Sequence, residues 1–233
     1  MPNHVRNQLT IEATNLDQIL KMVRNEDCIF DFEKIVPMLE SLHIEAHSGV
    51  IEHAKYIMNP SNHRAKWHFD LSNSRNQNPS NYNDNEWDCF FTCLNNIRKY
   101  GYAYWYDWSI ENWGTKWDAY GFPKNQPAEN IIRFETAWSC PVKVIQKLAK
   151  IFPNAKFKLE FADEDMGYNL GVSYFNHGEN TLNTHPEFGS NEAWIQAYSL
   201  RNPNSTESDL IEELEDYKQE ESNKLVALWK ITS

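Results

Sequence analysis

Residues 142–175 admit few folds. In "VKVIQKLAKIFP", Val144, Ile145, Leu148 and Phe152 fall on one helical stripe, and Pro153 closes it. "KFKLEFA" then alternates Phe157, Leu159 and Phe161 with Lys156, Lys158 and Glu160. "YNLGVSYF" alternates in turn, with Tyr168, Leu170, Val172 and Tyr174 on one side and the turn "DEDMG" before it. Helical period followed by two runs of strand period predicts a β-hairpin packed under a helix. With "NIIRFETAW" as the preceding strand, Ser139 as a cap and Pro141 near the first turn, residues 130–175 form a strand, helix and hairpin unit. That order predicts an α+β class, an antiparallel or mixed sheet with helices on one face.

The N-terminal segment repeats the theme. "HVRNQLTIEA" places Val5, Leu9 and Ile11 opposite Arg6, Gln8 and Thr10, and Asn15 is expected to cap a helix with Leu16, Ile19, Leu20 and Val23 on one stripe. Residues 48–101 read as a helical and loop insertion within one domain spanning 1–233. Residues 48–58 are its first helix. An asparagine-rich loop over 59–85 has a short strand, "AKWHFDL", embedded in it, and a helix carrying Trp87, Phe90, Phe91, Leu94 and Ile97 stops at Gly101. After the hairpin come a loop with His177 and His185, a helix in "NEAWIQAYSL", an acidic helix over 205–222 and a final strand, "KLVALWKI".

Charge narrows the function. The formal net charge is −11, which argues against general affinity for nucleic acid, because cations supply most non-specific phosphate binding. The excess is local: eight acids and one base lie between Glu207 and Glu221. A solvated helix face explains such a run, and so does a surface that meets a basic partner. No stretch approaches the roughly 18 apolar residues of a membrane span, and the start carries no secretory pattern, so a cytoplasmic protein is expected. The four cysteines are scattered without a CxxC, and reduced, packed thiols are expected of them.

Residues 105–122, "WYDWSIENWGTKWDAYGF", concentrate four tryptophans beside acids and amides. Trp105, Trp108, Trp113 and Trp117 have three readings: core packing, a stacking platform made by Trp113 and Trp117 beside Lys116, or anchors at a protein interface. Asp107, Asn112 and Asp118 suit each, since buried indoles need acceptors. Other constellations are weaker. His43, Glu45, His47 and His53 have the spacing of a partial metal set, Cys89 and Cys93 share a helical face, and Asp163, Glu164 and Asp165 cluster where a hairpin tip needs polar residues anyway. No nucleophile elbow or phosphate loop appears, so no cofactor and no metal are expected.

"MPNHVRNQLTI", "DWSIENWGTKWDAYGF", "FETAWSCPVKVIQKLAKIFP" and "FKLEFADEDMGYNLG" together resemble YubB-like proteins with a ferredoxin-like domain from phages and conjugative plasmids. The resemblance implies a ferredoxin-like core and a gene on a mobile element, and it carries over no catalytic residue. The expected function is a non-enzymatic accessory protein that binds a host protein or ribonucleoprotein, a CRISPR effector complex being the leading example. Its expected contacts are Trp105, Trp108, Trp113, Lys116 and Trp117 together with Glu207, Asp209, Glu212, Glu213, Glu215 and Asp216. Two alternatives stand beside it: a single-stranded nucleic-acid binder with a basic patch at Arg64, Lys66 and Arg75, and a metal-dependent enzyme using the histidines.

Overall fold

A computed structural model describes residues 3–45, 48–74 and 79–232. The chain forms two compact units, Met1–Ile35 with Gly114–Ser233, and Val36–Trp113. The first unit is built on a five-stranded antiparallel sheet in the order β2-β1-β3-β4-β5. Its strands are β1 (His4–Glu12), β2 (Ile131–Ala137), β3 (Lys156–Asp163), β4 (Leu170–Asn176) and β5 (Glu179–Thr184). Because β2 and β3 both run antiparallel to β1, they are parallel to each other with β1 between them. The helix that joins them, α6 (Val142–Ile151), makes a split β-α-β unit, the element of a ferredoxin-like fold.

Strand alternation sets the two faces. Val5, Leu9 and Ile11 are fully buried; Val5 lies in register with Thr136 and Asp163, Leu9 with Ile132 and Leu159, and Ile11 with Phe157. The Phe134 ring on this face meets Phe30 and Phe32 at 5.0 and 6.2 Å. Helix α1 (Leu16–Val23) buries Ile19, Leu20 and Val23, and α6 buries Val144, Ile145 and Leu148, each such side chain being worth about 1.5–3 kcal/mol. The cap expected at Ser139 does not form. Pro141 takes that position, and the Ser139 hydroxyl donates to the Gly114 carbonyl at 2.5 Å.

The hairpin differs from its sequence pattern in one respect. Gly171, Ser173 and Phe175 of β4 share the core side with Leu159, and the apolar run Leu170, Val172 and Tyr174 points the other way. Gly171 permits this, since a Cβ there would lie 3.2 Å from the Phe161 ring and 3.0 Å from the Thr184 carbonyl. Helix α7 (Asn191–Arg201) covers one end of that second face by packing Ala193 and Ala197 on Ala162 and Leu170. Helices therefore occupy both faces, not one.

Two elements of this unit are corrections. The loop expected after the hairpin contains β5, whose side chains are almost all exposed and polar, so it shows no alternation. The final strand expected in "KLVALWKI" is the continuation of α8 (Glu207–Thr232). No glycine or proline interrupts the chain after Glu207, so a nucleated helix propagates through β-branched residues that have no ladder to join. No helix among the described residues is long and apolar enough to cross a membrane.

The second unit is helical where described: α2 (Ser48–Met58), α3 (His63–Ser74), α4 (Asp84–Tyr100) and α5 (Trp105–Asn112), with short 3₁₀ turns between them. Helix α4 starts in a reciprocal cap between Asn83 and Glu86 and ends at Gly101 with φ of 84°, the left-handed stop its sequence predicts. The strand expected in "AKWHFDL" is instead part of α3, where Phe69 stacks on Tyr56 at 4.4 Å. An isolated strand would have had no partner in this unit.

His53, one of the expected metal-set histidines, is a core residue here. It is fully buried, its Nδ1 lies 2.5 Å from the Tyr82 hydroxyl, and its Nε2 has no hydrogen-bond partner among the described residues. Burial alone lowers its pKa. The neutral ring is the folded form, so its contribution is present above its ordinary value of 6.5 and is lost as pH falls through the lower folded value. Thermal melts of the wild type should lose stability between about pH 7 and pH 5, and His53→Leu should flatten that slope by the share His53 contributes. Equal slopes in the two proteins would remove His53 as the cause.

Candidate functional site

The tryptophan-rich run is divided between the units, and its members do different work. In α5, Trp108 and Trp113 are 6% and 4% exposed and meet edge to face at 5.3 Å. The Trp113 indole donates to the Val36 carbonyl at 2.9 Å, so a backbone oxygen supplies the acceptor that Asp107, Asn112 and Asp118 had been expected to provide. Asp107 pairs with Lys55 at 2.6 Å, and Asn112 donates to the Trp108 carbonyl. Trp105 is half-buried between the rings of Tyr104 and Tyr106, both 5.7 Å away. The platform expected of Trp113 and Trp117 therefore does not form, because Trp113 is a core residue of the helical unit.

Beyond Gly114 the remaining tryptophan of the run turns outward. Trp117 is 38% exposed, and the Lys116 ammonium lies 4.5 Å from its ring centroid. The same ammonium lies 4.9 Å from the ring of Trp138, which is 39% exposed. One cation thus faces two indoles, an arrangement worth about 0.5–2 kcal/mol per contact as solvent is excluded. Tyr120 extends the surface: its ring meets Trp117 edge to face at 6.1 Å, and its hydroxyl lies 2.7 Å from His4 Nδ1. Burial, with Glu135 and Glu164 adding to it, pushes the Tyr120 pKa up to about 12, so the hydroxyl keeps its proton.

Trp138 was not singled out from the sequence, and its backbone is what distinguishes it. Its φ is 74°, a left-handed conformation that is an outlier for a bulky residue and costs about 1–3 kcal/mol. Neighbouring groups impose it. The Trp138 amide donates to the Asn3 carbonyl at 2.9 Å, and the Asn169 side chain donates to the Trp138 carbonyl at 3.0 Å. Both asparagines are in turn held by Asp163, whose Oδ1 accepts from Asn3 Nδ2 at 3.1 Å and whose Oδ2 accepts from Asn169 Nδ2 at 2.6 Å. The Asp165 amide also donates to Asp163 Oδ1, at 3.0 Å. Asp163 is 3% exposed, so the carboxylate of the hairpin end is a buried anchor filled by three donors, one from the start of β1 and two from the hairpin turn. The signal available in the sequence was the pair "AWSCP" and "DMGYN", a bulky residue and an asparagine at turns, which carries no hint of their contact.

Tyr120 leads onto the second face of the sheet, since it bridges to Glu135 at the edge of β2. There Arg6 donates to Glu135 Oε1 through Nε at 3.1 Å and its terminal nitrogen at 2.7 Å, and Lys158 pairs with Glu160 at 2.9 Å. Arg133, in register with Gln8, donates Nε to Gln8 Oε1 at 2.8 Å and pairs with no carboxylate among the described residues. Burial and the neighbouring Arg6 lower its pKa. The sheet's phenylalanines lie on the covered face, and Tyr174 is the aromatic residue of the open one.

The acidic helix α8 begins at Thr206, whose hydroxyl and amide both meet Asp209 Oδ2, at 2.9 and 2.7 Å. These bonds hold the Asp209 carboxyl below its ordinary pKa. Leu210, Leu214 and Tyr217 are half-buried, and Tyr217 lies 5.7 Å from the Trp194 ring of α7. Glu207, Glu212, Glu213, Glu215 and Asp216 are exposed.

Metal ligation has no geometry here: among the described residues no three His, Cys, Asp or Glu side chains gather as ligands. His43 is exposed, and His47 lies outside the described residues, as does Arg75 of the basic patch. Cys93 is buried and its pKa is raised to about 12 by burial first and by Cys89 second. Burial also pushes Cys140 up to about 12, so neither thiol ionises near neutrality.

A family model described as the ferredoxin-like domain in Api92-like protein matches residues 112–230. A solved structure of a protein Api92 from Yersinia pseudotuberculosis is similar at 8% identity and a TM-score of 0.39, over 82% of this chain and 100% of that one. No curated protein matches the chain.

Proposed function

We propose, for a chain that belongs to the Api92-like proteins with a ferredoxin-like domain, a role in binding rather than catalysis, with α8 as the surface that meets a basic partner. The supporting observation is that α8 is anchored by Tyr217 against Trp194 while Glu207, Glu212, Glu213, Glu215 and Asp216 stay exposed. With Asp209 they span nine helical steps, roughly 14 Å, or about one charge per 2–3 Å. Duplex nucleic acid carries one per about 1.7 Å, so the helix presents an anionic rod of similar density. Its partner is a protein or ribonucleoprotein with a basic nucleic-acid channel. A gene borne by a phage or conjugative plasmid, and a host-defence target such as a CRISPR effector complex, fit this role. Complementary charge would speed encounter, and burial of aromatic side chains would slow release.

The test is capture of a purified CRISPR effector by the tagged chain, compared with a variant in which Glu212, Glu213, Glu215 and Asp216 are all lysine. Capture should fall at least tenfold in the variant and weaken as salt rises. Equal capture by both proteins would end the mimicry reading, and capture by neither would end the choice of target.

A further inference from the structure

His53 leaves a polar atom stranded in the core of the helical unit, and one of the elements covering it is weakly held. The ring is fully buried on α2, and Nε2 has no hydrogen-bond partner among the described residues. On one side stands Tyr82, whose hydroxyl meets Nδ1 and whose ring packs edge to face on Trp87 and Phe90 at 5.5 and 6.1 Å. That side is fixed, since Tyr82 directly precedes the reciprocal cap of α4. On the other stands Phe69 of α3, edge to face with the imidazole at 4.8 Å. None of the described side chains of α3 is buried: Phe69 and Leu71 are half-buried, and Trp67 is exposed.

We propose that α3 is a pH-operated lid: protonation of His53 lifts it from α2 and opens the surface around His53 and Tyr56 in mild acid. A protonated imidazole carries two donors. Nδ1–H can turn to the Tyr82 oxygen, but Nε2–H must reach water, which Phe69 excludes. The charges nearby do not offset it. Glu52 of α2 and Asp107 of α5 are engaged with Lys55, and on α3 Asp70 is exposed while His68 is half-buried beside Trp67 at 4.8 Å. On the α4 side Tyr82 keeps its proton, its pKa pushed up to about 12 by burial, with Glu86 and Cys93 adding to it, and burial with Cys89 raises Cys93 to about 12 as well. Burial is what lowers the His53 pKa, so the closed form takes the proton less readily than the open one. The open form therefore gains as pH falls below the ordinary value of 6.5. The lid belongs to the helical unit and works whether or not α8 meets a partner.

The experiment is native hydrogen exchange of the full chain at about pH 5 and about pH 7.5, read by mass spectrometry on peptides from α3 and α4 and corrected for the intrinsic rate at each pH. Opening of α3 should rise by about three- to thirtyfold at the lower pH while α4 holds, the upper figure being the limit for an open-state value of 6.5. His53→Leu should abolish the rise. Phe69→Ala keeps the imidazole and removes its cover, so α3 should exchange fast at both pH values and His53, followed by NMR, should titrate close to 6.5 instead of below it. That second variant decides the matter if His53→Leu does not fold. No rise in the wild type, a rise shared equally by α4, a rise kept in His53→Leu, or a His53 titration unmoved by Phe69→Ala would overturn the lid.

Discussion

Asp163→Ala is expected to lower the stability of the sheet unit by about 2–4 kcal/mol, one of the two largest single-residue effects foreseen for the chain. The carboxylate is 3% exposed and accepts from Asn3 Nδ2, Asn169 Nδ2 and the Asp165 amide. Removing it strands donors from the start of β1 and from the hairpin, where little room exists for water to replace two oxygens. Asp163→Asn keeps one acceptor but turns an amide N–H toward other donors, so its loss should be smaller but of the same sign. Because Asn3 and Asn169 also hold Trp138, both variants should alter tryptophan fluorescence before the unit melts. Denaturant titration followed by circular dichroism and fluorescence checks both parts. A loss under about 0.5 kcal/mol would show that Asp163 anchors nothing.

Asp163 also shows where the sequence stops being informative. "DEDMG" is legible as a turn because turn chemistry is local, and the burial of its first acid is not, because Asn3 lies 160 residues away. The same boundary divides the rest of the fold. Alternation in β1 and β3 and the stripes of α1, α4 and α6 are local periodicities imposed by one buried face, and each is visible in the chain. β5 is an exposed edge strand, so burial imposes no period on it. The direction of β4 depended on the contact of Gly171 with Phe161, a non-local event. In the candidate site, Lys116 and Trp117 were legible as a cation beside an aromatic ring. Trp138 was not, since β1 and β2 bring it there across a gap of 21 positions. Trp113 looked equivalent to Trp117 in composition and is separated from it by the burial of its indole against Val36.

The other large effect concerns Asp118, and here the sign follows from burial. Its Oδ1 accepts from the Phe32 amide at 3.0 Å and its own neighbour Ala119 at 2.6 Å, contacts that favour the charged form. Desolvation outweighs them, and with Asp31 and Glu33 adding repulsion the pKa rises from 3.8 to about 7. In the unfolded chain Asp118 ionises near its ordinary value, whereas in the folded protein it keeps its proton until near neutrality. The contribution is therefore fully present below about pH 4 and is lost as pH rises through about 7. A shift of this size corresponds to roughly 2–4 kcal/mol after allowance for partial exposure. Asp118→Asn removes the titration and retains both accepted bonds, since both end on one oxygen. Asp31 and Glu33, whose charges raise the Asp118 pKa, then face a neutral amide instead of a carboxylate. The variant should match the wild type near pH 4 and exceed it by about 2 kcal/mol at pH 8, as measured by denaturant midpoints at the two pH values. A variant less stable than the wild type at pH 8 would mean that Asp118 is charged in the fold and paired, and that its two backbone bonds, not its burial, set its pKa.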